Sequence, residues 1–480
     1  MSKIPVIDLF AGPGGLNEGF ARFAPTGAAA TFRVAASFEM DPVACRTLTS
    51  RAAVRALSED SIESRHYEAF LRGRLDWDEW RSRPAVCSAF EHAAAEVNQT
   101  ELGPATRHET EATIRDSLGK GVDGPWVLIG GPPCQAYSLV GRSRRRHDVS
   151  FADDVKHYLY REYLHIIKVL RPPVFVMENV KGLLSHRLAG QSVFQQILAD
   201  LGRPGYEVRS FVTRDESLSP DDYVIRAEEY GVPQRRHRVI LFGVRSDLAH
   251  LDSRVLTPQS APTVDEVIGH MPKIRSRISP ARLDDVTVWR DLRDAALGWA
   301  GERPGGAVPG ASTSPHPGHL LSGSEMGVEG WLTGGRPSAV IQHEARGHMP
   351  ADLQRYAYLA AMARRGDIIK VSDLPRHLRP LHKNVMRADA PFADRFRVQV
   401  GGRPSTTVVS HIAKDGHYYI HPDPDQMRSL SVREAARLQT FPDDYFFCGN
   451  RTQQYHQVGN AVPPLLARQL AEVVQSLLTS

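Results

Sequence analysis

The sequence predicts an α/β fold: a mostly parallel sheet with helices on both faces, joined to a smaller and less regular domain. Short apolar runs recur through the first half of the chain, separated by helical stretches. Such runs read as strands buried on both faces. Four of the five runs end in clusters of Gly, Pro, Cys, Glu or Asn, at the strand ends where sheets of this kind bind ligands. The alternation stops between about 250 and 405, where Gly-, Pro- and Ser-rich stretches such as 301–327 read as loop.

In chain order, Val6-Ile7-Asp8-Leu9-Phe10 runs into the turn Ala11-Gly12-Pro13-Gly14-Gly15. Phe32 to Phe38 ends at Glu39, and Trp126 to Ile129 ends at Gly130-Gly131-Pro132-Pro133-Cys134. Val174 to Met177 ends at Glu178-Asn179, and Arg238 to Val244 follows Pro233-Gln234-Arg235-Arg236. All five are expected to be parallel. The stretch 51–124 is long for one connection and reads as a partly helical insertion that binds DNA, binds a partner or buttresses the sheet. Order returns near Arg403. Ser431 with Glu434 three residues on is a capping box opening a helix. From Pro464, Leu466, Leu470, Val473, Val474 and Leu477 recur at helical spacing, so this last helix must pack on something, expected to be the first domain. The expected division is 1–250, a second domain over 251–404, and a return segment over 405–480.

Composition narrows the class. The 480 residues are 41% hydrophobic and 24% charged, which suits globular domains and excludes a disordered or fibrous chain. No apolar run is long enough for a membrane span. Met1 to Pro5 leads into a strand without a signal-peptide pattern, and four cysteines with no Cys-x-x-Cys pair exclude a disulfide scaffold. A reducing cytoplasm is therefore expected. A net charge of +4 permits a nucleic-acid partner without demanding one.

Several residues carry chemistry. The Gly-rich turn lets a ligand approach the backbone closely, and Asp8 and Glu39 could accept hydrogen bonds from an amine and a ribose. The plainer reading is a tight turn with no ligand, and the pattern is not G-x-G-x-x-G, which argues against a dinucleotide. Cys134 sits at a strand's ligand edge, with Arg142, Arg144, Arg145 and Arg146 shortly after, and nearby positive charge favours a nucleophilic thiolate. A lone Cys is otherwise a small buried hydrophobe. Glu178 ends an apolar strand, where a carboxylate is costly unless paired or functional, and it could donate or hold a proton. Its plainer role is to cap the next helix. Arg236 and Arg238 enter the last strand and either reach the ligand edge or form a solvated patch.

Taken together these segments resemble the DNA (cytosine-5)-methyltransferase family. Asp8-Leu-Phe-Ala-Gly-Pro-Gly-Gly15 is similar to the family's S-adenosylmethionine loop, and Gly131-Pro-Pro-Cys-Gln-Ala-Tyr-Ser138 to its Pro-Cys-Gln catalytic loop. Glu178-Asn-Val180 resembles its Glu-Asn-Val motif, and Gln234-Arg-Arg-His-Arg238 its Gln-Arg-Arg-x-Arg motif. Arg433-Glu-Ala-Ala-Arg-Leu-Gln-Thr-Phe-Pro442 and Gln457-Val-Gly-Asn-Ala-Val-Pro-Pro464 resemble its closing motifs. Six motifs in the family's order span both ends of the chain. Tyr137 stands where the family usually has Phe, and the gap before the Pro-Cys loop is longer than in compact members.

The resemblance implies a Rossmann-like methyltransferase sheet, S-adenosylmethionine as cofactor and double-stranded DNA as partner. It implies that Cys134 attacks C6 of a flipped-out cytosine, Glu178 protonates N3, Arg238 contacts the cytosine carbonyl and Arg236 helps hold the active site. The cofactor is expected against Asp8, Phe10, Gly12, Gly14, Gly15, Leu16, Glu39, Met40, Pro132, Leu159, Asn460 and Val462. No acidic residue stands out for its adenine amino group. DNA is expected at Gln135, Ser138, Arg142, Arg144, Arg145, Arg236 and Arg346. Residues 251–404 occupy the target-recognition position and hold His343, Arg346, His348, Arg355, Arg376, Arg379, Lys383 and Arg387. Some of these are expected on phosphates or base edges, and none on a metal. A monomer suffices, and a cognate restriction or defence system is the expected setting. The rivals are an RNA cytosine-5 methyltransferase, a catalytically inactive DNA-binding scaffold and a nicotinamide-dependent oxidoreductase.

Overall fold

The structure is a computed structural model describing residues 3–25, 27–57, 61–133, 159–188, 191–310, 320–380 and 395–479. An eight-stranded sheet organises the first half of the chain. Its strands are β1 (Ile4–Leu9), β2 (Phe32–Glu39), β3 (Val97–Gln99), β4 (Val127–Gly130), β5 (Val174–Val180), β6 (Tyr206–Arg209), β7 (Val224–Arg226) and, after a two-residue strand β8 (Gln234–Arg235) outside this sheet, β9 (His237–Arg245). The order is β3-β2-β1-β4-β5-β9-β6, with β7 also paired to β9. Pairs among β1 to β5 are parallel.

One expectation is corrected here. The strand that begins at His237 is antiparallel to β5, β6 and β7. The chain enters it from β7 and β8 through turns, without the crossover helix that a parallel neighbour needs.

Alternation along the strands builds two cores. Ile7, Leu9, Leu128, Phe175 and Met177 face one side, with Ile114 of α6 (Arg107–Leu118), Ile166 of α7 (Leu159–Leu170) and Ile197 of α8 (Val193–Gly202). Val6, Val127, Ile129, Val174, Val176 and Ile240 face the other, against α1 (Gly15–Ala21) and α13 (Pro464–Leu478). Leu466, Leu470, Val473, Val474 and Leu477 all join this second core, so the closing helix packs as its spacing predicts.

The insertion is helical. It follows α2 (Pro42–Ala56) with α3 (Ile62–Leu71), α4 (Trp77–Arg81) and α5 (Pro84–Glu96), and it returns through the edge strand β3. Trp80 is fully buried and stacks on Phe70 at 5.1 Å, and Trp77 stacks on Phe446 at 5.7 Å. The Tyr67 hydroxyl donates to the Asp444 carbonyl at 2.6 Å. This segment therefore buttresses the return segment as well as adding a strand to the sheet.

Residues 251–404 hold two long helices, α9 (Val286–Trp299) and α10 (Pro350–Arg364), packed in one cluster with Ile420 and Met427. Helix α10 buries Leu353, Arg355, Tyr356, Ala357, Tyr358, Leu359, Ala360 and Ala361, which lie all round it. A helix buried on every side carries no apolar stripe, which is why periodicity missed it. Beyond 405, β10 (Ser405–Thr406) pairs with β8. Helices α11 (Val432–Leu438) and α12 (Arg451–Asn460) share an apolar cluster with Val264, Ile268 and Val340. The predicted capping box is present: Ser431 and Glu434 satisfy each other's backbone N–H groups at the start of α11. Among the described residues no helix is long and apolar enough to cross a membrane.

Candidate active site

The carboxyl ends of β1, β2, β4 and β5 lie side by side, in register at Leu9, Phe38, Gly130 and Met177. The residues just beyond these ends build the site.

After β1 the backbone turns through left-handed conformations at Phe10 (φ 58°), Gly12 (φ 56°) and Gly14 (φ 90°). At the end of β2, Glu39 ties two loops together. Its carboxylate accepts from Gly12 N–H and from Asp41 N–H, both at 2.8 Å. Asp41 in turn caps α2, accepting from Val43 and Ala44 N–H. Asp8 is buried one residue before the end of β1, and neither carboxylate oxygen has a well-formed hydrogen-bond partner. Burial and the neighbouring Glu39 push its pKa well up, opposed weakly by Arg55 and Asn17. An orphaned buried carboxyl beside an open glycine turn fits a ligand that brings a cation or donors to it.

The other predicted cofactor residues divide. Gly15 serves packing: a Cβ there would lie 2.1 Å from the Val462 carbonyl oxygen. Leu16 and Val462 are both buried in the core on that face of the sheet. Met40 is exposed, Leu159 opens α7 half-buried, and Asn460 ends α12 exposed with its amide 3.3 Å from His456. Edge strand β3 sets Asn98 and Gln99 beside Phe38 and Glu39. A three-residue strand leaves no pattern to read, so the sequence did not reveal these polar neighbours.

After β4, Gly131 lies against Glu178 so closely that a Cβ would sit 2.9 Å from the Glu178 Oε2. Buried Pro132 accepts a hydrogen bond from the Asn179 amide at 3.3 Å, which joins the two loops. On β9, Arg238 Nε is 2.8 Å from Glu178 Oε1, and both side chains are largely buried. Glu178 is thus paired, the condition under which a carboxylate is tolerated there. Cys134, Gln135, Ser138, Arg142, Arg144 and Arg145 lie outside the described residues, as do Lys383 and Arg387.

Arg236 does not reach the ligand edge. It is buried, donating to the Val408 carbonyl at 2.8 Å and the Gly459 carbonyl at 3.4 Å, and burial and Arg238 hold its pKa down. The expected DNA contact from this residue is replaced by a bond between the sheet and the return segment. Arg346 is also buried, donating to the Ile412 carbonyl at 2.8 Å and lying 4.5 Å from the Tyr455 ring centre. His343, His348 and Arg355 are buried as well: His343 contacts Ser431 and the Pro272 carbonyl, His348 contacts Ser429, and Arg355 pairs with Asp352. Arg346, His343 and His348 thus tie the second domain to the return segment, and Arg355 ties α10 to Leu378 within the second domain, where the sequence suggested a DNA-facing surface. Arg376 is exposed and Arg379 half-buried.

Known proteins match this arrangement. The model of the C-5 cytosine-specific DNA methylase family matches residues 92–295 and 344–476. The type II methyltransferase M.Bpa9945I of Bacillus paralicheniformis is 34% identical over 98% of this chain and 99% of its own length. The type II methyltransferase M1.HphI of Haemophilus parahaemolyticus is 29% identical over 74% of this chain and 69% of its own. A solved prophage-encoded E. coli protein, described as a DNA modification methyltransferase, shares the fold with a TM-score of 0.56 at 18% identity, covering 100% of both chains. The glycine turn, the Glu178–Arg238 pair and the closing helix thus sit in a chain that belongs to the C-5 cytosine-specific DNA methylase family.

Proposed function

We propose that this chain methylates C5 of cytosine within a specific duplex DNA sequence, using S-adenosylmethionine, as the modification half of a type II restriction system. The observation that carries the reading is the Arg238–Glu178 pair, held beside Gly131 three residues before Cys134. An acid and a cation fixed next to a Pro-Cys loop suit a pyrimidine ring that must gain a proton at N3 while a thiolate adds at C6.

The orphaned Asp8 carboxyl and the Glu39 clamp on the glycine turn suit the cofactor's cationic groups and ribose. Asn98, whose amide donates to Ser37 and Glu96 carbonyls, keeps a side-chain oxygen to accept from the adenine amino group. The cofactor, when bound, supplies an electrophilic methyl group on a sulfonium.

The residues would act in order. C5, C6 and N3 of a paired cytosine are inaccessible, so the base leaves the stack at a cost of roughly a few kcal/mol. Glu178 gives a proton to N3 as the Cys134 thiolate bonds to C6, which makes C5 nucleophilic. After C5 is methylated, a base takes the C5 proton, the C6–S bond breaks and N3 returns its proton to Glu178. Arg238 orients Glu178 and holds the cytosine carbonyl. Residues 1–250 and 405–480 would bind cofactor and base, and 251–404 would face the duplex, with exposed Arg376 on phosphate. A monomer in the cytoplasm suffices.

The test is transfer of tritium from labelled S-adenosylmethionine to matched duplex DNA and RNA pools, beside a Cys134→Ser control, with bisulfite mapping of the product. Label on DNA alone, absent with Cys134→Ser and mapping to one sequence, is expected. Label on RNA alone, or transfer that survives Cys134→Ser, overturns the reading.

A further inference from the structure

Two fully buried glutamine side chains meet behind the candidate active site. Gln234 lies on β8, two residues before Arg236 and four before Arg238, and Gln439 caps the end of α11. The Gln234 amide nitrogen donates to Gln439 Oε1 at 2.9 Å and to the Leu438 carbonyl at 3.2 Å. Its Oε1 accepts from Val408 N–H at 2.7 Å. The Gln439 amide nitrogen donates to the carbonyls of Val458 at 2.7 Å and Ala461 at 3.3 Å.

Both orientations are therefore determined. Turning the Gln234 amide over would set its NH2 against Val408 N–H. Turning the Gln439 amide over would set its oxygen against two carbonyls. Each amide uses both donors and its acceptor, so the pair has no slack and no access to water. It acts as a spacer of fixed length.

What it spaces matters. One end is the segment that leads into Arg238, whose Nε is 2.8 Å from Glu178. The other end holds Val458 and Ala461, the residues that bracket Gly459 and Asn460. Arg236 runs parallel to it, bonded to Val408 and Gly459 carbonyls. We infer that Gln439, through Gln234, is a positioning residue that sets the distance between the Arg238–Glu178 pair and the Asn460 turn, and so between target base and cofactor. The inference rests on the proposed function, since only that reading places base and cofactor at these two ends.

The test is Gln439→Met, which keeps the length and removes the donors. Binding of S-adenosylhomocysteine is read by calorimetry, and single-turnover methylation is read at saturating cofactor and duplex. Leu201→Ala, a core truncation on α8 far from this pair in sequence and packing, serves as a control for lost stability alone. Gln439→Met is expected to weaken the affinity at least fivefold and slow the transfer at least tenfold. Leu201→Ala is expected to leave both within twofold. If Gln439→Met keeps both quantities within twofold, or if Leu201→Ala loses them to the same degree, the inference is wrong. Should Gln439→Met not fold, Gln439→Asn, which keeps an amide but draws it back by one methylene, is held to the same thresholds. An unaltered protein that binds S-adenosylhomocysteine but transfers no methyl group to DNA overturns the proposed function, and affinity alone then decides on Gln439.

Discussion

Arg428 and Glu434 face each other through two parallel bonds of 2.6 and 2.7 Å, with both side chains buried. Glu434 also accepts from Ser431 N–H at the start of α11 and lies 3.4 Å from His421. Arg428 further donates to Gln426 and to the Ile274 carbonyl. The pair thus locks the entry of α11 onto residues 274 and 426. Removing one member strands the other charge in the interior. Glu434→Gln should cost about 3–5 kcal/mol, read as a fall in the urea midpoint. The arginine and His421 hold the Glu434 pKa well below its ordinary 4.5, against the effect of burial. The folded chain therefore binds this proton less readily than the unfolded one. Its contribution is present above pH 4.5 and lost only as the pH falls through the depressed value, so the difference between wild type and Glu434→Gln should persist at neutral pH and shrink in strong acid.

The Arg238–Glu178 pair makes the opposite prediction for function. Both side chains keep some exposure at the crevice, so removing the carboxylate's proton-carrying capacity should spare the fold. Glu178→Gln should slow single-turnover methylation by about 10²–10⁴-fold, the range typical of a positioned acid. Cofactor affinity, measured by calorimetry, should stay close to that of the unaltered protein. A loss confined to affinity would remove Glu178 from the chemistry.

The reach of the sequence depends on what each residue does. The places of Asp8, Glu39, Gly131 and Glu178 at strand ends were legible because such ends announce themselves by abrupt changes from apolar to Gly, Pro and acid. The closing helix was legible because one face of it is apolar. Arg236 and Arg346 were misplaced because charge in a sequence carries no information on burial: each spends its donors on backbone carbonyls brought from far along the chain. The reversal of β9 was equally hidden, since a buried strand reads the same in either direction. Helix α10 left no stripe because it is surrounded.

Asp8 separates stability from binding. Its folded-state pKa lies above its unfolded value, chiefly through burial, so between the two the folded chain holds a proton that the unfolded chain has lost. Stability from this group is complete below the unfolded value and declines as the pH rises through the folded one. Asp8→Asn should therefore stabilise the ligand-free protein at neutral pH, by about 0.5–2 kcal/mol if it follows other removals of functional strain. The same change should weaken cofactor binding by roughly tenfold or more, the worth of a lost charge-assisted hydrogen bond. Thermal melting and calorimetry on one preparation test both halves.

Gly12 and Gly15, three residues apart, should fail in different ways when changed to alanine. At Gly15 an added Cβ would meet the Val462 carbonyl oxygen at 2.1 Å and Ala461 Cβ at 3.2 Å, so the helix that begins there must move away from the return segment. Overpacking of this kind typically costs about 1–3 kcal/mol, and Gly15→Ala should lower the melting temperature. At Gly12 nothing lies within 4 Å of an added Cβ, but φ is 56°. The space is open, so only the left-handed backbone opposes the change, at about 1–2 kcal/mol. The Gly12 N–H holds Glu39 in place, and the open space beside it is where a ligand would approach. Gly12→Ala should therefore show its larger effect in cofactor affinity, and Gly15→Ala in stability. Equal losses of affinity in the two variants, at matched stability, would mean that the turn meets the ligand along its whole length.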